Sequence, residues 1–203
     1  MASRGQQLCL LGHEEPQCDE RFLALERTNL EEGAWVDIAR GWLSGHATLF
    51  DHFAQRAPWR TEERVMYDSK VEVPRLVATL GPEDDVPPIV EAMRRALERK
   101  YETSFSRTSL AYYRDGHDSV AWHGDYIARK MESALVATVS LGSPRNFLLR
   151  KTGGGPSIAF PLGHGDLVVM GGSCQRTYQH AIPKVARAAA RIALMYRPVW
   201  KEP

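Results

Sequence analysis

The chain has 203 residues, 43% of them hydrophobic and 25% charged, with a formal net charge of +1. That length and balance describe one globular domain able to bury its own core, and exclude a mostly disordered chain or a fibre. The near-neutral total hides an asymmetry: 13 lysines and arginines stand against 18 acids up to Lys100, and 13 against 7 after it. A basic second half suits an anionic partner or a solvated surface equally well.

The three cysteines, Cys9, Cys18 and Cys174, are odd in number and form no CxxC pair, which fits a reducing compartment. No apolar run reaches the roughly 18 residues needed to cross a bilayer, and MASRGQQLCLLGHEEPQ lacks a signal-peptide core. The expectation is a cytoplasmic protein with no membrane contact and no obligate protein partner.

In chain order, residues 1–30 are polar and aperiodic and are expected to form a flexible or loosely packed N-terminal tail, with one domain over 31–203. GAWVDI (Gly33–Ile38) reads as a short strand. Ser44–Ala57 places Leu49, Phe50 and Phe53 on one helical face. VEVPRLVATLG mixes β-branched residues with Pro74, which favours an edge strand. After Pro87-Pro88 comes a clear amphipathic helix, with Ile89, Met93, Ala96, Leu97 and Tyr101 on its apolar stripe.

Beyond Tyr101 the pattern changes. SRTSLAYY, ALVATVSLG, RNFLLR, SIAF, DLVVM and RIALMYR are short, β-rich and separated by Gly, Pro or Asp. Gly153–Pro156 and Gly171-Gly172 read as turns. Strands without intervening helices predict an antiparallel sandwich or jelly roll, so the fold class is α+β, mainly β, with flanking N-terminal helices.

Three features carry chemistry. His123-Gly124-Asp125 places an imidazole and a carboxylate two residues apart, hence on one face of an extended strand. Such a triplet is common by chance, and a solvated surface pair is its plain alternative. His180, in QRTYQHAIPK, adds a second imidazole, although a turn histidine reads the same way. Two imidazoles and one carboxylate form the facial triad of non-haem Fe(II) oxygenases. In RIALMYR, Arg191 and Arg197 share a strand face with backbones roughly 20 Å apart. Two guanidiniums there suit the two ends of a small dicarboxylic acid, or form an exposed basic face.

Together, PWR, VPRLVATLG, YRDGHDSVAWHGD, VSLGSPRNFLLR, GDLVVMGGSCQRTYQHAIPK and RIALMYR resemble the AlkB family of Fe(II)- and 2-oxoglutarate-dependent dioxygenases in order and spacing. They run from Trp59 to Pro198, about two-thirds of the chain. The resemblance implies a double-stranded β-helix, a jelly-roll variant. It also implies His123, Asp125 and His180 as iron ligands and catalytic centre. Arg191 then holds the distal carboxylate of 2-oxoglutarate, Arg197 lies near its metal-binding end and Tyr113 assists. Arg75 then sits where the substrate lid begins, as a candidate substrate contact, and Trp122 and Tyr126 are candidate base-stacking aromatics or core residues.

The implied chemistry uses Fe(II), 2-oxoglutarate and O₂ to demethylate N-alkylated nucleobases in DNA, with RNA as the other polymer. Its products are formaldehyde, succinate and CO₂, and the target base must leave its stack. The alternatives are a 2-oxoglutarate-dependent hydroxylase or demethylase of a protein or small molecule, and a silent nucleic-acid-binding module.

Several positions depart from the family pattern. Ala111 replaces an asparagine that hydrogen-bonds the cosubstrate, a loss worth about 0.5–1.5 kcal/mol. Tyr126 and Ile127 stand where acids commonly follow the HxD aspartate, and Met195 replaces a small polar residue. PEDDVPPIV is shorter than the aromatic hairpin of many repair members, and Asp84-Asp85 would repel phosphate. Trp59 and Tyr67 are further candidate stacking aromatics or core residues. Tyr178 and Cys174 read as core.

Overall fold

The computed structural model describes residues 14–66, 69–125 and 131–198. Cys9, Tyr67, Tyr126 and Ile127 lie outside them. In chain order the strands and helices are β1 (Gln17–Cys18), β2 (Leu25–Asn29), β3 (Ala34–Ala39), β4 (Leu43–Ser44), α1 (His46–Arg56), β5 (Arg60–Met66), β6 (Ser69–Thr79) and α2 (Pro88–Tyr101). There follow β7 (Arg107–Tyr113), β8 (Val120–His123), β9 (Val136–Gly142), β10 (Arg145–Lys151), β11 (Ser157–Leu162), β12 (Asp166–Gly172), α3 (Cys174–Thr177), β13 (Tyr178–Ile182) and β14 (Arg191–Arg197).

The strands form an eight-stranded sheet, β2-β3-β12-β9-β14-β7-β6-β5, and a four-stranded sheet, β11-β10-β13-β8, with β1 and β4 as a separate pair. Every pairing is antiparallel. Alternation along the central strands builds a core on each face of the large sheet. On β9, Ala137, Val139 and Leu141 pack with Leu49 and Phe53 of α1 and Met93 and Leu97 of α2 in the outer core. Ile192, Leu194 and Tyr196 of β14 join them. Val136 and Ala193 point inward, where Phe147 and Leu149 of the small sheet close the second core. This two-sheet jelly roll with its two helices on one outer face is the architecture expected from the sequence.

Three local expectations are corrected. The N-terminal segment is not loose from residue 14 onward: β2 pairs with β3 over Leu25–Asn29, and Arg27 clamps Asp37. Its charged sequence, LERTN, hides a strand because most of β2 is exposed at the sheet edge. β6 is not an edge strand, since β5 pairs on one side and β7 on the other. Pro74 is tolerated because the register jumps there, Thr61 facing Leu76 while Glu62 faces Val73. Gly171-Gly172 is the end of β12 paired with β3, not a turn. Glycine is needed at 171 because a Cβ would lie 2.0 Å from the Trp35 indole.

Candidate active site

A cavity of about 670 Å³ opens between the two sheets. Its lining repeats every second residue of the large sheet: Ser109, Ala111 and Tyr113 of β7, and Arg191, Ala193, Met195 and Arg197 of β14. From the small sheet come His123 and His180, and Asp125 follows just after β8. All six residues expected to serve iron and cosubstrate therefore line one cavity.

Register brings the histidines together. His180 on β13 is the direct partner of His123 on β8, and their ring centroids are 4.2 Å apart. The Nδ1 of His123 lies 2.8 Å from the Ala121 carbonyl, which can only accept, so Nδ1 is the donor in that hydrogen bond and the ring is held in orientation. His180 packs against Phe147 at 5.4 Å between ring centroids. Burial, reinforced by His123, pushes its pKa down to about 3, so the ring is neutral at physiological pH.

Asp125 is partly buried, which raises its carboxyl pKa, but Arg197, His180 and His123 more than offset this and hold it below the usual range. Its Oδ2 accepts from Arg197 Nε at 2.7 Å, and its backbone N–H donates to Gln175 Oε1 at 3.1 Å. Arg197 also donates to the Ser109 hydroxyl at 2.8 Å.

Two imidazoles, of which His180 is neutral, and an ionised carboxylate are the donor set that Fe(II) takes. As the side chains stand, no three His, Cys, Asp or Glu groups among the described residues converge on one metal position. The histidines are register partners, and the Asp125 carboxylate beside them is held by Arg197. The residues fit the metal in chemistry and in placement around one cavity.

Arg191 is 1% exposed, yet its Nε reaches only the Ser140 hydroxyl, at 2.7 Å, and its Nη1 is buried without a partner. The guanidinium carbon lies 5.2 Å from the Tyr113 ring centroid. Burial depresses its pKa, the neighbouring Tyr113 works against this, and Arg145, another cation, adds to the depression. A buried cation without an anion is costly, so this cavity wall is built for an anionic ligand.

The expected substrate contacts divide. Arg75 lines the cavity, turned inward at the β6 register jump, where the Pro74 carbonyl accepts from Ser119 N–H at 2.8 Å. Trp122 alternates with His123 along β8, is not part of the lining, and packs 4.1 Å under the Arg150 guanidinium. As a base-stacking residue it is therefore misplaced. Trp59 donates to the Phe53 carbonyl at 3.0 Å and packs with Tyr112 in the outer core. Tyr178 and Cys174 are buried in the inner core, as expected. Asp84 and Asp85 do not face the cavity: Asp84 accepts from Gly81 N–H and Asp85 pairs with Arg56.

Ser109 and Glu62, which line the cavity, and Ser140 and Gln175, which hydrogen-bond Arg191 and Asp125, are site residues that the sequence did not reveal, because only cross-strand register and loop packing bring them there. Arg145 is another. It is 3% exposed and donates to the carbonyls of Asp115, Asp118 and Pro183, fixing the loop that feeds β8.

The sequence model of the 2OG-Fe(II) oxygenase superfamily matches residues 78–197. The chain is 25% identical to the human protein named alpha-ketoglutarate-dependent dioxygenase alkB homolog 3 over 177 residues, 76% of this chain and 62% of that one. It is 28% identical to the DNA oxidative demethylase ALKBH2 of Arabidopsis thaliana over 193 residues, 75% of this chain and 62% of that one. The chain thus spans less than two-thirds of the length of these relatives. Among solved structures, that of OsALKBH1 superposes with a TM-score of 0.59 at 14% identity, over 85% of this chain and 100% of that one. A 2OG-Fe(II) family oxidoreductase from Burkholderia pseudomallei gives 0.57 at 16% identity, over 80% and 84%. No helix among the described residues is long and apolar enough to cross a membrane. With its jelly roll, its paired histidines and the family match over residues 78–197, the chain belongs to the 2OG-Fe(II) oxygenase superfamily, whose cofactors are Fe(II), 2-oxoglutarate and O₂.

Proposed function

We propose that this chain oxidatively demethylates N-alkylated nucleobases, in DNA first, releasing formaldehyde, succinate and CO₂. The observation that carries the reading is Arg191: a buried guanidinium with an unpartnered Nη1, lining the cavity that also holds His123, Asp125 and His180. The nucleic-acid part is supported by the names of the relatives, alkB homolog 3 and DNA oxidative demethylase ALKBH2.

In this reading His123, Asp125 and His180 hold the metal. The Ala121 carbonyl orients the His123 ring, and burial keeps His180 unprotonated, so the His180 ring need not lose a proton to bind. Asp125 is already ionised. Arg191, oriented by Ser140 and Tyr113, receives one carboxylate of 2-oxoglutarate, and Arg197 stands beside the other end. Val136, Phe147 and Met170 make the cavity wall apolar and limit water there. When bound, iron and 2-oxoglutarate use O₂ to hydroxylate the N-methyl carbon, whose adduct falls apart to formaldehyde and the bare base.

The test is incubation with Fe(II), 2-oxoglutarate and single-stranded oligonucleotides carrying 1-methyladenine or 3-methylcytosine. Succinate formation stimulated by the methylated strand, with loss of one methylene mass from it, is the expected result. Succinate that methylated strands do not stimulate, with their mass unchanged, would move the substrate to a protein or small molecule.

A further inference from the structure

Two histidines that the proposed activity does not use meet on the other side of the fold. His46 opens α1, and His164 stands in the turn between β11 and β12. Their ring centroids are 5.5 Å apart, and neither residue lines the cavity. The Nδ1 of His46 is buried without a hydrogen-bond partner, a costly state for a polar atom unless a ligand supplies the missing contact.

A metal ion sets the spacing of the imidazoles it holds. With bonds of about 2.1 Å and a ring centroid about 1.1 Å behind its nitrogen, two imidazoles on a tetrahedral ion have centroids roughly 5.2 Å apart. At right angles on a six-coordinate ion, the same rings stand roughly 4.5 Å apart. The 5.5 Å between His46 and His164 is close to the tetrahedral value, whereas the 4.2 Å between His123 and His180 is closer to the other.

Acids stand nearby. Burial, then His164, lowers the pKa of His46 from its ordinary 6.5, while the Glu14 and Asp166 carboxylates act in the opposite sense. The ring is therefore neutral at physiological pH, the form that binds a metal. Asp166 is committed to Arg40 and to the Gly41 N–H. Glu14 lies against the start of α1, where its carbonyl accepts from the Thr48 hydroxyl at 2.8 Å, and this leaves its carboxylate available. Two imidazoles and one glutamate are a donor set that zinc takes, with water in the fourth position.

We infer that His46, His164 and Glu14 form a Zn(II) site separate from the cavity, which ties the N-terminal segment and α1 to the β11–β12 turn. The turn in turn supports the cosubstrate wall: His164 N–H donates to the Gly142 carbonyl at 3.1 Å and Gly165 N–H to the Ser140 carbonyl at 2.8 Å. Ser140 is the residue whose hydroxyl accepts from Arg191.

The experiment strips the full chain with a chelator and titrates it with Zn(II) against a chromophoric chelator, then with Co(II) followed by visible absorption. The variants are His164→Asn, His46→Gln and His123→Ala. His164 is exposed with a φ of 50°, a conformation that asparagine also adopts readily, so His164→Asn keeps the turn. Wild type is expected to bind one equivalent that His123→Ala retains and that His164→Asn and His46→Gln both weaken. The weakening should exceed the roughly 10–100-fold that losing an outer-shell partner costs. Co(II) in this site should give the intense visible bands of tetrahedral coordination in wild type and His123→Ala, and lose them in His164→Asn. Zinc binding unchanged in His164→Asn and His46→Gln overturns the inference, as does a single wild-type equivalent that His123→Ala abolishes. Cobalt spectra of six-coordinate type alone overturn it too. None of these results bears on the demethylase reading, which the succinate assay decides.

Discussion

Arg191 states the physical problem of the site in one side chain. It is a guanidinium 1% exposed, opposite a serine and a tyrosine ring, with one nitrogen satisfied by nothing. Without a ligand such a group costs stability, because its lost hydration is not replaced by a counter-ion. Replacing it by an apolar side chain of similar length should therefore spare the empty protein while removing its hold on a dicarboxylate. The expected outcome for Arg191→Met is a melting temperature equal to or above wild type, together with loss of the shift that 2-oxoglutarate plus Mn(II) gives the wild type. A variant that still gains the full shift would remove Arg191 from cosubstrate binding. His123→Ala should melt near wild type and form no succinate. The histidine packs at a cavity wall, so its loss leaves no large void. Retained turnover in that variant would contradict its assignment as a ligand.

At the scale of elements, what was legible followed from periodicity. β7, β9, β12 and β14 announce themselves because one face packs on the helices and the other lines the inner core or cavity, so β-branched and aromatic residues fill them. β8 and β13 did not, because VAWH and YQHAI give their inward positions to the histidines of the site. The chemistry could thus be found by motif where the strands holding it could not. β5 was illegible for a related reason: RTEERVM is charged and shows no apolar alternation, and its place is set by pairing with β6. Residue types named the donors, whereas Ser140, Ser109 and Glu62 needed the register, which no local pattern encodes.

β2 belongs to the same class, and its attachment is testable. Asp37 of β3 is fully buried and accepts from Arg27 Nε at 2.6 Å, from Arg27 Nη2 at 2.8 Å and from the Tyr101 hydroxyl at 2.9 Å. One carboxylate thus ties β2 and α2 to the large sheet. Arg27 is 46% exposed at its side chain, so the pair itself is screened, but removing Arg27 leaves the buried carboxylate with the tyrosine alone. Arg27→Ala is therefore expected to cost about 2 kcal/mol, and Asp37→Asn less, since the amide needs no counter-charge. Urea unfolding of the two variants checks the order. A larger loss in Asp37→Asn would show that the charge pair, not the stranded carboxylate, dominates.

For the molecule as a whole, the three layers are joined through buried groups that must keep their protons. The Tyr196 hydroxyl, fully buried, donates to the Val90 carbonyl of α2 at 2.9 Å, and Tyr101 ties the other end of that helix to Asp37. Cys174 lies in the core between the sheets. Burial pushes the Cys174 thiol up to about 12 from an ordinary value of 9.0. Burial, then nearby Asp37, raises Tyr101, and burial raises Tyr196 well above 10.0. In each case the folded state holds the proton more tightly than the unfolded chain. The stability these groups contribute is therefore complete below about pH 9, and is lost as pH rises toward the folded-state values. Each group can add a slope of up to about 1.4 kcal/mol per pH unit within its own window. Denaturant midpoints measured under reductant at pH 8, 10 and 11 should fall progressively, and Cys174→Ala should soften the fall between pH 9 and 11. The same burial keeps the Cys174 thiol unreactive toward alkylating agents at pH 8 until the chain unfolds. A midpoint constant to pH 11, or rapid native-state alkylation of Cys174, would mean that the layers open more readily than this packing allows.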